Sequence, residues 1–319
     1  MLHLRIIVPT DRTAAVERLL SGSAAVTHVV VLPGVSREPA GDLLLCDVVR
    51  EGASELIERL RDLGIERDGS IVVERVDTTL SAAADRAEKR MPGLGVDAVV
   101  WEEIEHTTGE EAELSGAFLT FMIVATAIAG VGVLLDQPIL IVGAMVVGPE
   151  FGPLTALCVG MVRRRAGLVR RGLIALLVGF PVAMVTTVLT TWLLDALDIV
   201  DKQMLLEPRP LTSFIWQPDA LSWVVGLLAG VAGMLSLTSA KVGTLVGVLI
   251  SVTTVPAAAN VAVAAAYGVG REAAGSALQL LINVTAIVVA GVLTLIIQQM
   301  AWEWHRRRHP GTPPRSGGQ

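Results

Sequence analysis

The run Gly148-Pro149-Glu150-Phe151-Gly152-Pro153 sets one carboxylate between two prolines inside Pro138–Val162, a stretch that is otherwise apolar. A carboxylate at bilayer depth is costly, and it faces a cavity, a partner or a proton path. Two readings stand for Glu150: it binds a coupling proton or cation, or it is a structural carboxyl bonded to a broken helix. A second run, Thr253-Thr254-Val255-Pro256-Ala257-Ala258-Ala259-Asn260, interrupts the apolar stretch Val242–Ala266. Proline removes a backbone N–H and clashes with the preceding turn, so each helix must kink or unwind there. In lipid the freed carbonyls need protein or a water-filled cavity beside them. Paired broken helices in the two halves of a membrane domain mark a midplane binding site.

Other polar residues in the apolar stretches are few. Asn260 and Asn283 can offer amide donors and acceptors to a solute, or they can hydrogen-bond between helices. Thr253, Thr254 and Thr285 can offer hydroxyls to the same region, or bond back to their own helices. With Pro149, Glu150, Gly152, Pro153 and Pro256 they make up the expected substrate or ion pathway. Lys241 is expected to snorkel to the surface, and Asp136 to be solvated. No Ser/His pair, paired aspartates or metal-ligand set occurs in these stretches, and no phosphate-binding Gly-rich loop occurs anywhere. The chain therefore reads as neither an enzyme nor an ATP-driven pump, and no cofactor or metal is expected. Cys46 and Cys158 fall in a strand-like and a membrane run, so no disulfide is expected.

Composition places these motifs in a membrane protein. Hydrophobic residues make up 52% of the chain and mean hydropathy is +0.62. Residues 1–114 hold 22 acidic and 12 basic side chains, against 9 and 13 in the rest. An acidic soluble portion thus precedes a nearly uncharged one, and nothing points to nucleic acid. Six spans are expected, Ser115–Leu135, Pro138–Val162, Gly172–Leu194, Leu221–Ala240, Val242–Ala266 and Leu278–Met300, each near the ~20 residues a bilayer needs. Arg163, Arg164, Arg165, Arg170 and Arg171 lie between spans two and three, and Arg306, Arg307 and Arg308 follow span six. The positive-inside bias then puts both termini in the cytoplasm of a cell whose inner membrane holds the protein. Met1–Asp11 lacks the pattern of a signal peptide. Three spans per half make any repeat inverted. Ala129-Gly130 before Val142-Gly143 and Ala232-Gly233 before Val246-Gly247, each followed by Pro153 or Pro256, suggest such a repeat.

Residues 1–77 read as βαββαβ, the ferredoxin-like arrangement, with strands at His3–Val8, Val26–Leu32, Leu43–Val49 and Ile71–Val76. Pro33-Gly34 and the loop to Gly41 form a hairpin connection or touch a small effector. This cytosolic domain is expected to regulate or to oligomerise, a dimer being preferred. Residues 78–114 are linker helices, the second strongly acidic, with Trp101 and Ile104 as its apolar side; 115–300 is the membrane domain and 301–319 a basic, Pro/Gly-rich tail.

The run Val142-Gly143-Ala144-Met145-Val146-Val147-Gly148-Pro149-Glu150-Phe151-Gly152-Pro153 resembles a signature of a bacterial and archaeal conserved hydrophobic family, domain of unknown function 389. The resemblance continues through Gly226–Gly233, Val242–Pro256 and Leu281–Ile287 and covers roughly residues 115–300. Gly143, Ala144, Met145, Pro149, Gly152 and Pro153 satisfy the family's GAM-x-x-x-P-x-x-GP pattern, whereas Glu150 replaces its usual apolar residue. The second family motif often has two adjacent prolines, and here only Pro256 is present. The resemblance implies the architecture and no substrate. The expected function is a secondary carrier of a small polar, anionic solute, coupled to protons or cations at Glu150. The alternatives are a ligand-gated channel or a non-transporting membrane sensor or scaffold.

Overall fold

The computed structural model describes residues 1–76, 78–90, 99–238 and 254–308, with only the backbone of 302, 303 and 305–308. Thr253, Lys241 and Val246-Gly247 lie outside the described residues. The chain divides into two compact units, one built on Met1–Glu103 and the other on Ile104–Leu237 and residues 254–299.

In the first unit β1 (Leu2–Val8), α1 (Thr13–Ser21), β2 (Val26–Arg37), β3 (Ala40–Val48), α2 (Arg50–Asp62), the short α3 (Ile65–Asp68) and β4 (Ser70–Arg75) follow the expected order. The sheet runs β2-β3-β1-β4 with every neighbouring pair antiparallel. Period-two alternation sends Leu2, Leu4, Ile6 and Val8 inward, all fully buried. Leu44, Cys46 and Val48 of β3 and Leu56, Ile57 and Leu60 of α2 complete that core. Burial pushes the Cys46 thiol up to about 12. A thiol so held has almost no thiolate at neutral pH. Native protein is therefore expected to resist maleimide at this site, and labelling of a Cys158→Ala protein should rise only when the first unit unfolds. Mass spectrometry over a denaturant series checks this.

One expectation is corrected here. Pro33-Gly34 is not the hairpin connection: β2 continues through it to Arg37, with register shifts between Thr27 and Val30 and between Leu32 and Ser36. The sheet order makes β2 an edge strand, where a proline costs no ladder bond and irregularities are tolerated. Gly34 takes a positive φ of 66° there, a conformation suited to glycine. Asp42 fixes the irregularity by accepting from Gly34 N and Thr13 Oγ1. Those two bonds hold its carboxyl below the usual aspartate range. Val29, Val30, Leu32 and Val35 are left exposed along this edge.

α4 (Ala82–Arg90) opens where Ser81 Oγ accepts from Ala83 N and Ala84 N. α5 (Trp101–Glu111) carries the acidic run, and its Trp101 and Ile104 are buried as expected.

The second unit is helical: α6 (Gly116–Leu134), α7 (Pro138–Val147), α8 (Phe151–Val162), α9 (Ala166–Ala196), α10 (Lys202–Leu206), α11 (Ala220–Thr238), α12 (Val255–Ala266) and α13 (Gly270–Arg308). Among the described residues four helices, α6, α9, α11 and the Gly270–Ala301 part of α13, are long and apolar enough to cross a membrane. A fifth span results if α7 and α8, bent by 54° at their break, count as one. α12 is apolar but has only 12 residues. Small residues bring these helices close. A Cβ on Gly226 would lie 2.8 Å from Ala286 Cβ, and one on Gly230 would lie 2.6 Å from Ile287 O. Gly226 and Gly230 thus let α11 pack closely against α13. Gly230→Val should cost about 1–3 kcal/mol, the usual range for overpacking. A lower melting temperature of the purified protein checks it.

Candidate functional site

The first helix break follows from its residues. A residue before proline is driven out of the α region, and Gly148 has φ −64° and ψ 128° ahead of Pro149. The chain re-enters a helix at Phe151, with Glu150 as N-cap residue and Pro153 in the first turn, where a missing N–H breaks no helical bond. Gly152 is needed for contact: a Cβ there would lie 2.6 Å from Glu111 Cβ and 2.8 Å from Glu111 O. The start of α12 resembles the start of α8. Thr254 is the N-cap residue of α12 and Pro256 occupies its first turn.

The first break meets the start of α12. Glu150 is 1% exposed and Thr254 fully buried, and Thr254 Oγ1 donates to Glu150 Oε1 at 2.8 Å. A Cβ on Gly148 would collide with this carboxylate and lie 3.0 Å from Val255. Ala125, Ala129, Ala144, Val255 and Ala259 form the small-residue core around the junction, which lets α12 approach α6 and α7 closely. Glu150 thus sits at the N-terminal ends of α8 and α12, and both helix dipoles favour negative charge at that point. Beside the break lies an open groove, lined by Glu110, Glu111 and Glu113 on one side and Pro149, Phe151 and Gly152 on the other. Glu105 of α5 takes Arg163 at 2.9 Å and Arg165 at 3.1 Å.

Asn260 and Asn283 belong to a second cluster. Asn260 Nδ2 donates to Glu272 Oε1 at 3.0 Å and to Ser276 Oγ at 2.7 Å. Gln279 Nε2 donates to Asn283 Oδ1 at 3.2 Å. Arg209, from the segment between α10 and α11, forms an ion pair with the same Glu272 oxygen. Glu272, Ser276, Gln279 and Asn283 succeed one another at helical spacing along one side of α13, and all six side chains are buried. The expected pathway residues therefore divide between two clusters, Glu150–Thr254 and Asn260–Asn283. Their positions on α12 are six residues apart, ~9 Å along the axis. Thr285 joins neither: it is exposed, unlike Asn283 on the same helix. Asp136 is not simply solvated, since it accepts from Leu211 N at 3.3 Å and Thr212 Oγ1 at 2.8 Å and ties that segment to the turn between α6 and α7.

Sequence reasoning missed Arg209, Glu272, Ser276 and Gln279. The signal was present in the spacing of the last three with Asn283, but a span drawn from Leu278 leaves Glu272 and Ser276 outside it. Arg209 had no such signal, because its partner lies 63 residues away.

Comparison with known proteins agrees with the resemblance read from the first break. Residues 145–289, from α7 into α13, match the family described as "Domain of unknown function (DUF389)". That stretch holds Glu150, Thr254 and all six residues of the second cluster. The chain is also similar to "Uncharacterized protein MJ0678" of Methanocaldococcus jannaschii, 21% identical over 241 residues, covering 76% of this chain and 71% of the relative. No solved structure matches it.

Proposed function

We propose that the protein is a secondary carrier of a small polar solute, coupled to protons or cations at Glu150. The observation that carries this reading is the meeting of the first helix break with the start of α12 at one buried carboxylate, Glu150 accepting from Thr254. Broken helices that converge near the middle of a bilayer are a recurrent way to build a solute and ion site. A buried carboxylate there can gain and lose a proton or cation as access alternates.

In this reading α7–α8 is one broken span and α12 ends another, giving six spans related as inverted halves of three. Both termini lie in the cytoplasm of the inner membrane, with the arginines between α8 and α9 on that side. Asn260 and Asn283 orient the solute. The first unit oligomerises or regulates, and its exposed β2 edge favours pairing with a second copy. Purified protein in liposomes on a solid-supported membrane tests the proposal. A saturable current evoked by a small polar solute and altered by a pH gradient is expected. No current for any solute, from protein shown to be folded, would move the assignment to a sensor or scaffold.

A further inference from the structure

Three atoms of the second cluster have no hydrogen-bond partner among the described residues: Arg209 Nε, Asn260 Oδ1 and Gln279 Oε1. Their residues are 8%, 0% and 3% exposed. Buried polar atoms are nearly always paired, and leaving one unpaired costs about 1–3 kcal/mol. A network that served only to hold helices together would be expected to close on itself. This one instead retains a donor on a guanidinium and acceptors on two amides.

The charge of the cluster narrows what could satisfy them. Arg209 and Glu272 are ion-paired and neutralise one another. Asn260, Ser276, Gln279 and Asn283 add no charge. A net anion or cation entering here would bring a buried charge without a free counter-charge, a penalty of several kcal/mol by the rule for unpaired buried ions. A net-neutral solute escapes that penalty. It needs an acceptor for Arg209 Nε–H and N–H or O–H donors for the carbonyl oxygens of Asn260 and Gln279.

We propose that Arg209, Asn260, Glu272, Ser276, Gln279 and Asn283 form a binding site for a small net-neutral solute that bears at least one hydrogen-bond acceptor and two hydrogen-bond donors. Zwitterionic amino acids and small polyols share this chemistry. The site replaces the anionic solute expected from the sequence. It rests on the carrier reading only in that the solute bound is the solute carried.

The test is binding to the purified full-length protein, read as a ligand-dependent rise in melting temperature. Glycine, serine and glycerol are titrated beside acetate and methylammonium as charged controls. At least one net-neutral solute should bind saturably, and the controls should bind at least tenfold more weakly. Gln279→Met keeps the side-chain length and removes the free acceptor together with the bond to Asn283, and should weaken binding about tenfold. Binding by glycine or serine alone selects the zwitterion, and binding by glycerol alone the polyol. The proposal falls if no net-neutral solute binds, if either charged control binds as tightly, or if folded Gln279→Met binds like the wild type. The wild-type panel decides between net-neutral and charged ligands even if Gln279→Met does not fold. Coupled flux of a solute without binding in this panel overturns the site and leaves the carrier reading standing. Binding without flux does the reverse.

Discussion

Glu150→Gln is expected to fold normally and to lose at least tenfold of the proton-driven component of solute current. Gln has nearly the shape of Glu, and its amide oxygen can still accept from Thr254 Oγ1, the contact that joins the first break to α12. The change therefore removes charge and protonation while leaving the junction intact. The N-terminal ends of α8 and α12 stabilise an anion at this point, so the variant also discards an interaction the wild type enjoys. Currents recorded with and without a pH gradient separate the effects. A variant with undiminished coupling would make Glu150 the structural carboxyl of the alternative reading. Thr254→Val provides the contrast, since it keeps the carboxylate and deletes its donor. Losing one hydrogen bond to a buried charge costs about 1.5–3 kcal/mol, so that protein should be less stable than Glu150→Gln.

The second large effect concerns the ion pair. Arg209→Met should destabilise the protein by about 3–5 kcal/mol, because it strands Glu272 as an uncompensated buried charge. Glu272→Leu should do the same to Arg209. The double variant should recover most of the loss, since apolar replacements of a buried pair are often neutral or better. A double-mutant cycle on melting or denaturation of the detergent-solubilised protein measures the coupling. Additive losses, with no recovery in the double variant, would mean that the two side chains do not depend on one another.

Legibility from sequence varied with the range of the interaction. The break at Gly148–Glu150 was readable because proline acts on its own neighbours, whereas the bond from Thr254 to Glu150 was not, since it joins residues 104 apart. The βαββαβ order was readable from local periodicity, as in the inward row Leu2, Leu4, Ile6 and Val8. Pro33-Gly34 misled because the same dipeptide serves a turn or an irregular edge strand, and only the pairing with β3 decides. Asp136 misled for a related reason: a carboxylate at a helix link looks solvated until a distant segment, here Leu211 and Thr212, folds onto it. Arg209 belongs to the same class. Its ion pair is a tertiary contact with α13, 63 residues away in the chain.

The bend between α7 and α8 also fixes a length. Ten and twelve helical residues rise ~15 Å and ~18 Å. Joined at the 54° bend, they reach ~29 Å end to end by that rise, close to the ~30 Å thickness of a hydrocarbon core. Straightening the joint by ~10° would add ~1 Å of reach on the same geometry. On the reading of the pair as one span, thicker membranes should favour its straighter forms. Because the carboxylate of Glu150 sits at the joint, a change in lipid chain length would be felt directly at the charge.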